Sequence, residues 1–282
     1  MLRINIVSIF PDFFSGPLSL SIPAKAAGVG QVSYALIDLR TFTHDRHRTV
    51  DDYPFGGGPG MVMKPGPFFD AVESVQAKAP IVLLSPRGAR FSHAHAVRFA
   101  AGAELTLLCG HYKDVDERVA QHLATEEISL GDFVLSGGEP AALAIVDAVV
   151  RLLPGAMSDL DSARTDSFFD RGISAPSYTR PAAFRGFVVP EVLAGGDHAK
   201  VAHWRDAESL RRTRDAEARD RDAQRIREGV IAVREAGIVQ EEQQLAEQQA
   251  KKARRKAAKV RVRARAQRDA LADDAPNEST KE

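Results

Sequence analysis

The chain has 282 residues, of which 44% are hydrophobic, enough for one large core domain and a smaller second one. Lysine plus arginine equals aspartate plus glutamate at 38 each, so the overall charge does not predict a polyanionic partner. The single cysteine, Cys109, excludes an internal disulfide, and no window approaches the roughly 18 apolar residues of a membrane helix. This composition favours a soluble, cytoplasmic protein.

Alternating strand and helix patterns run along the first half of the chain. Short apolar, β-branched runs predict strands over Arg3–Phe10, Gln31–Leu39, Pro80–Ser85 and Glu104–Cys109. Helical patterns between and after them cover Pro67–Ala77, His93–Ala101, Asp116–Ala124 and Glu139–Leu153. Alternation of this kind predicts an α/β fold, in which helices cover both faces of a parallel sheet.

The second half of the chain is less regular. Residues 155–180 carry Gly, Pro, Ser and Asp throughout, and a loop that long is typical of a functional lid or an interdomain linker. A helical pattern begins near Pro190, with Trp204 and Leu210 as its apolar anchors. From Lys251 to Arg268 there are ten basic residues and no acid, which indicates either an RNA-binding extension or a solvated tail.

The densest glycine cluster is Gly56–Gly60. It is neither a P-loop, since no Gly-Lys-Ser/Thr follows, nor a dinucleotide fingerprint, since its spacing differs. It is either a surface turn or a place where the backbone approaches a flat ligand closely. The preceding segment Thr43–Arg48 supplies positive charge, for which phosphate contact is the better interpretation, because His44 and His47 lack a third metal-ligating partner.

Three glycine-containing segments follow strands or open helices: Leu84–Gly88, Cys109–Tyr112 and Leu130–Glu139. Ligands of open α/β sheets bind outside the carboxyl ends of the strands. These segments together therefore predict a pocket made largely of backbone groups, which suits a nucleotide-like ligand such as adenosine. Each segment alone is typical of an ordinary strand-to-helix turn.

Two charged residues stay open at this point. Asp166 lies in the long loop, where aspartate commonly caps a turn. Arg151 follows the buried apolar helix and is equally typical of a surface cation at a helix C-terminus. The residue pattern alone assigns neither to catalysis.

In their residues and in their order along the chain, the motifs resemble those of one family, the bacterial tRNA (guanine-N1)-methyltransferases, which have a trefoil-knotted α/β fold. The resemblance covers roughly residues 1–212. The matching strings are Phe42–Asp52, Gly56–Met61, Leu84–Pro86, Cys109–Tyr112, Asp116–Arg118, Gly131–Glu139, Asp147–Val149, Arg151, Pro154-Gly155, Asp166–Phe168 and Tyr178–Pro181.

This resemblance implies a deep trefoil knot around residues 83–140, where the pattern alone would predict an unknotted Rossmann-like sheet. It implies a knotted S-adenosylmethionine-binding domain at 1–160, a linker or lid at 161–180, a small helical tRNA-binding domain at 181–240 and a charged tail at 241–282. It also implies a homodimer with shared active sites. The implied cofactor-binding residues are Leu84, Ser85, Pro86, Gly110, His111, Tyr112, Lys113, Leu130, Gly131, Asp132, Phe133, Val134, Leu135, Ser136, Gly137 and Gly138.

By the same resemblance the reaction is methylation of N1 of guanosine-37 in tRNA. Asp166 would be the general base, and Arg151 would stabilise negative charge on O6. Tyr112 would help to frame the guanine. The implied substrate-binding residues are Asp51, Pro59, Gly60, Arg46, Arg48, Trp204 and Arg205. The resemblance leaves a magnesium requirement open, and no dedicated metal site is predicted.

The chain departs from the family pattern at a few positions. Lys113 stands where many relatives have Glu, and Pro140 replaces a more usual Leu. Three alternatives remain: an RNA-binding protein that has lost transfer activity, a related knotted enzyme acting on ribosomal RNA, and an NAD-dependent dehydrogenase. The last lacks its fingerprint.

Overall fold

A parallel sheet forms the centre of the protein. In the computed structural model its strands are arranged in the order β2-β1-β6-β5-β8. Their bounds are β1 Leu2–Ser8, β2 Val32–Asp38, β5 Ile81–Arg90, β6 Glu104–Cys109 and β8 Glu126–Ser129. Every pairing between these neighbours is parallel. The predicted α/β fold with a parallel sheet is therefore confirmed.

Six helices have residues in the apolar clusters next to this sheet: α1 Ser15–Leu18, α2 Ser21–Gly28, α3 Pro65–Ser74, α4 His93–Ala100, α5 Glu117–His122 and α6 Glu139–Val150. A later short helix, α7 Glu191–Ala194, has no buried residue. Short 3₁₀ segments cover Pro11–Phe14 and Leu39–Phe42. The four predicted helices are all present, with ends that differ from the prediction by a few residues. Pro140 lies in the first turn of α6, where its missing N–H leaves no helical bond unmade.

The apolar residues form two clusters, one on each face of the sheet. Along β1, Ile4 and Ile6 belong to the cluster under α4 and α6, whereas Val7 belongs to the cluster under α3 and α5. This split follows from strand geometry, because successive side chains point to opposite faces. Both faces of the central strands are buried, which explains their nearly continuous apolar sequences.

The structure describes residues 1–157, 165–169, 172–225 and scattered positions between 228 and 238. The chain divides into two compact units, Met1–Leu210 and Arg211–Glu282. In the first unit, residues 198–210 continue as helix α8 after a short β9–β10 hairpin, Ala183–Phe184 with Phe187–Val188. In the second, residues 211–225 are helical. The predicted tail and the basic run Lys251–Arg268 lie outside the described residues.

A second, small sheet has the order β3-β4-β7, from Asp51–Asp52, Val62–Met63 and Asp114–Val115. Strand β4 pairs antiparallel with β3 and parallel with β7. The glycine cluster Gly56–Gly60 connects β3 to β4, so this sheet fixes both ends of the cluster. Two-residue strands carry no periodic signal, and the sequence pattern did not predict them.

The strand β5 leaves the sheet and returns to it. Leu84 pairs with Ile128 of β8, and after a register shift Ala89 lies opposite the same Ile128. Residues 85–88 therefore form an excursion from the sheet at its carboxyl edge. Where the chain returns, a Cβ on Gly88 would lie 2.4 Å from the Ile128 backbone nitrogen, so only glycine fits.

Candidate functional site

A cavity lies where β5, β6 and β8 end. These three strands are neighbours and run parallel, so the loops that follow them meet at one edge of the sheet. The cavity is lined by Leu83, Leu84, Ser85, Pro86, Gly110, His111, Tyr112, Lys113, Asp114, Val115, Ile128, Ser129, Leu130, Phe133, Val134, Leu135, Ser136, Gly137, Gly138 and Ala141. The predicted pocket at the strand ends is thus present as a cavity.

All but two of the predicted cofactor-binding residues line this cavity. The exceptions are Gly131 and Asp132. Gly131 leaves room for a neighbouring ring, because a Cβ there would lie 2.7 Å from Phe133 Cε1. Asp132 accepts a hydrogen bond from Arg90 Nη2 at 2.7 Å. In the structure Gly131 therefore has a packing role and Asp132 an ion-pairing role, and neither lines the cavity.

Close backbone approach forms one wall of the cavity. The Gly138 N–H donates to the Gly110 carbonyl oxygen at 2.8 Å, and a Cβ on Gly138 would lie 2.8 Å from Cys109 Cα. Residues His111 and Gly137 form an isolated antiparallel bridge. The two glycines therefore allow the 137–138 segment to pass directly against the end of β6.

Part of the cavity lining is apolar and exposed. Phe133 is 55% exposed and Val134 83% exposed, and Tyr112, at 42%, holds a left-handed backbone conformation with φ +62°. The His111 ring contacts the rings of Phe10 and Tyr112 edge-on. A cavity lined by both backbone polar groups and exposed apolar groups fits a ligand with a flat heterocyclic ring.

Buried side chains lie next to the residues that line the cavity. Ser8, at the end of β1, donates from Oγ to Glu139 Oε1 at 2.7 Å, and both residues are buried. Burial, with the nearby Glu139 adding to it, raises the pKa of the Cys109 thiol well above its ordinary value. Cys109 is therefore a neutral packing residue. Ser8 lies 131 positions from Glu139, and no sequence pattern indicated its role.

Replacing Ser8 with Ala is expected to lower the free energy of unfolding by about 1–3 kcal/mol, since a buried carboxyl oxygen loses its donor. Urea unfolding measures this change. Ser19→Ala is the matched control, because Ser19 Oγ donates to the Gly16 carbonyl in an exposed turn. Equal effects from the two variants would show that the Ser8 to Glu139 bond contributes nothing to stability.

The glycine cluster lies beside this cavity and contacts Lys113. Gly56, Gly57, Gly58 and Gly60 all have positive φ, so the loop conformation requires glycine. The backbone N–H of Lys113 donates to the Met61 carbonyl at 3.1 Å. The predicted residues Pro59 and Gly60 are thus next to the cavity lining, and Asp51 is held in β3, opposite Met63.

Arg46 and Arg48 lie on an exposed turn before β3. Asp45 organises this turn, since its carboxylate accepts hydrogen bonds from the backbone N–H groups of His47 and Thr49 at 2.9 Å. The bonds from Thr49 are the main cause of the lowered pKa of Asp45. His44 lies 3.8 Å from Asp70. Both arginines are exposed, as a role in contacting phosphate requires.

Arg151 and Asp166 form a direct ion pair. Arg151 follows the last residue of α6, and its Nη2 donates to Asp166 Oδ2 at 2.5 Å. Both side chains are partly exposed, at 29% and 42%. The structure therefore brings together the two residues predicted to be catalytic, but Asp166 does not line the cavity at the strand ends.

Asp166 instead lines a second, larger cavity within Met1–Leu210. Its lining includes Thr165, Ser174, Tyr178, Arg180, Arg205 and Ser209. Arg205 is the predicted substrate contact that lines this cavity. Trp204 does not line it but contacts the Tyr178 ring at a centroid distance of 6.4 Å. Ser209 fixes the cavity wall by donating to the Ile173 carbonyl at 2.7 Å.

Among the described residues no three His, Cys, Asp or Glu side chains form a group that could hold a metal ion. No helix there is long and apolar enough to span a membrane.

Known proteins match most of this chain. A family model described as tRNA (guanine-1)-methyltransferase TrmD matches residues 2–220. A tRNA (guanine-N(1)-)-methyltransferase of Geobacillus kaustophilus (strain HTA426) is 53% identical over 215 residues, which are 75% of this chain and 88% of that protein. The protein of the same name from Gloeobacter violaceus is 53% identical over 217 residues, 76% of this chain and 96% of that protein. The one from Dehalococcoides mccartyi is 48% identical over 216 residues, which are 75% of this chain and 87% of that protein. The span matched by the family model, residues 2–220, includes both the cavity at the strand ends and the Arg151 to Asp166 ion pair.

Proposed function

The chain belongs to the tRNA (guanine-1)-methyltransferase family, and from this premise we propose that it methylates N1 of guanosine-37 in tRNA, with S-adenosylmethionine as methyl donor. The observation that carries the proposal is the backbone-lined cavity at the strand ends, which lies within the span matched by the family model. Such a cavity suits the adenosine part of the donor. An NAD-dependent dehydrogenase, by contrast, has no support in the sequence or the family.

The lining of the cavity fits this cofactor, because it combines main-chain polar groups with apolar side chains such as Leu84 and Phe133. A Cβ at position 137 or 138 would lie within 3 Å of other atoms of the chain, so only glycine lets this segment pack against the end of β6. The glycines therefore build a wall of the cavity from main chain, against which a purine could lie. When bound, S-adenosylmethionine supplies an electrophilic methyl group. Its proposed contacts are Leu84, Ser85, Pro86, Gly110 to Lys113, Leu130 and Phe133 to Gly138. Gly131 and Asp132, next to this lining in sequence, are proposed to support it.

Asp166 is the proposed general base. Guanine N1 carries a proton at neutral pH and becomes nucleophilic only when that proton leaves. The Asp166 carboxylate can accept the proton, a contribution of about 10²–10⁴-fold in rate. Arg151, within hydrogen-bonding distance of Asp166, holds the carboxylate in place and can then donate to guanine O6 as negative charge develops there.

A shared site explains why Asp166 lies outside the cavity of its own chain. In a twofold dimer each subunit can supply its Arg151 and Asp166 to the cofactor cavity of the other. We therefore propose a homodimer with two composite active sites. Residues 83–140 are proposed to form the deep trefoil knot, for which the passage of Gly137-Gly138 against Cys109–His111 is the supporting contact.

The remaining predicted residues are proposed to contact tRNA. Pro59, Gly60 and Tyr112 would frame the flipped-out guanine, since all three are next to the cavity. The exposed Arg46 and Arg48 would contact phosphate, and Asp51 a neighbouring base. Trp204 and Arg205 would contact the stem backbone from a helical domain at 181–240, after a knotted domain at 1–160 and a linker at 161–180. A cytoplasmic location and an auxiliary magnesium ion belong to the same proposal, without a protein-built metal site.

Methyl transfer from labelled S-adenosylmethionine to two tRNA transcripts tests the function directly. One transcript carries guanosine-37, and in its matched control that nucleotide is adenosine. We expect label on the first and none above background on the second. Equal labelling would overturn the assignment of the target base. Absence of label on both, with the cofactor still bound, would identify the protein as a non-catalytic RNA binder.

A further inference from the structure

Lys113 connects the cofactor cavity to the glycine cluster. It lies between β6 and β7 and contributes to the cavity lining. Its backbone N–H is fixed by the 3.1 Å hydrogen bond to the Met61 carbonyl, at the end of the cluster. This bond fixes the backbone of Lys113, although its side chain is exposed.

The aliphatic part of the Lys113 side chain packs along Gly60. A Cβ added to Gly60 would lie 3.1 Å from Lys113 Cβ and 3.3 Å from Lys113 Cδ. Further along, the Lys113 Nζ lies 4.0 Å from the position of a Cβ on Gly58. The side chain therefore extends from the cavity along the glycine cluster, and the ammonium group ends beside Gly58.

The ammonium group of Lys113 has no acidic partner among the described residues, whereas other cations of this region do. Lys64 Nζ lies 3.8 Å from Asp52, and Arg118 Nε lies 2.8 Å from Asp116. An exposed lysine ammonium group beside a glycine loop, with three N–H donors, is suited to binding an anion. The exposed Arg46 and Arg48 precede β3, which leads into the same loop, so the neighbouring sequence also favours a polyanion.

We propose that the Lys113 ammonium group binds a phosphate of the substrate RNA strand at the glycine cluster, next to the nucleotide that enters the site. This rests on the proposed function, since it concerns RNA recognition at the same site. The glycines allow the RNA backbone to approach the loop closely, and the lysine neutralises one phosphate there. Lys113 thereby acts as a positioning residue for the target nucleotide.

The test compares Lys113→Gln with the unmodified protein in two binding measurements. One is the Kd for guanosine-37 tRNA, by fluorescence anisotropy over a range of salt concentrations. The other is the Kd for S-adenosylmethionine, by calorimetry. Loss of one phosphate contact should reduce the slope of log Kd against log salt by about 0.7–0.9. The tRNA Kd should rise at low salt, by a larger factor than the cofactor Kd.

Two further variants serve as controls. Lys113→Arg keeps the charge and should retain the original salt slope. Lys78→Gln removes an exposed lysine that precedes β5, at the edge of the sheet opposite the cavity, and should leave both affinities unchanged. The outcome that overturns the proposal is an unchanged salt slope in Lys113→Gln. If the cofactor Kd rises in that case, the ammonium group binds the cofactor carboxylate instead.

Failure of this inference and failure of the proposed function give different results. If the unmodified protein does not methylate guanosine-37, the proposed function fails, and the binding data still report on Lys113 and RNA. If it methylates guanosine-37 while Lys113→Gln keeps the full salt slope, only the role of Lys113 is wrong.

Discussion

Replacing Asp166 with Asn should reduce the rate of methyl transfer by about 10²–10⁴-fold and leave cofactor affinity unchanged. The amide has nearly the shape of the carboxylate but cannot take the N1 proton. Cofactor affinity should persist because the amide keeps the size of the carboxylate and the backbone wall at Gly137-Gly138 stays intact. Single-turnover transfer and calorimetry with S-adenosylmethionine measure the two quantities separately.

The matched control is Asp215→Asn. Asp215 also pairs with an arginine, since Arg211 Nη1 lies 3.2 Å from its Oδ2, but on an exposed helix surface. Exposed pairs contribute about 0–1 kcal/mol, so transfer by this variant should remain near normal. A near-normal rate for Asp166→Asn would refute the role of Asp166 as the base. A parallel loss of cofactor affinity would instead assign it to cofactor binding.

A second large effect is expected from Gly138→Ala. The new Cβ would lie 2.8 Å from Cys109 Cα and 3.1 Å from the Gly110 nitrogen, and Cys109 is fully buried at the end of a central strand. These backbone atoms cannot move without disturbing the sheet, so we expect a loss of about 1–3 kcal/mol in the free energy of unfolding. Displacing the 2.8 Å bond between Gly138 and Gly110 should also deform the cavity wall and raise the cofactor Kd by about tenfold or more.

Urea unfolding and calorimetry measure both effects, with Gly28→Ala as the control. Gly28 ends α2 without a positive φ, and no atom lies within 4 Å of its Cβ position. That substitution should stabilise the protein slightly, by about 0.4–1 kcal/mol. If Gly138→Ala bound the cofactor as well as the unmodified protein, the close approach of the 137–138 segment would not shape the site.

The sequence by itself determined the layered architecture and the family. The strands β1 and β6 are buried on both faces, so their sequences are nearly continuous apolar runs. Such a run can be recognised without knowing which strand pairs with it. Family membership, expected from short motifs in order, is confirmed by the match over residues 2–220. The strand β8, Glu126–Ser129, was missed because only its last two residues are buried, which gives neither a run nor an alternation.

Tertiary structure decided which distant residues meet. The excursion of residues 85–88 from β5 depends on re-pairing with β8, which local sequence does not specify. The bond between Ser8 and Glu139 joins positions 131 apart, and the Arg151 to Asp166 pair joins a helix end to a loop without periodicity. Local patterns record which side of an element is buried, because burial repeats with the geometry of that element. Contacts between elements depend on the path of the chain in three dimensions. The contact between Gly60 and Lys113 is therefore visible only in the folded protein.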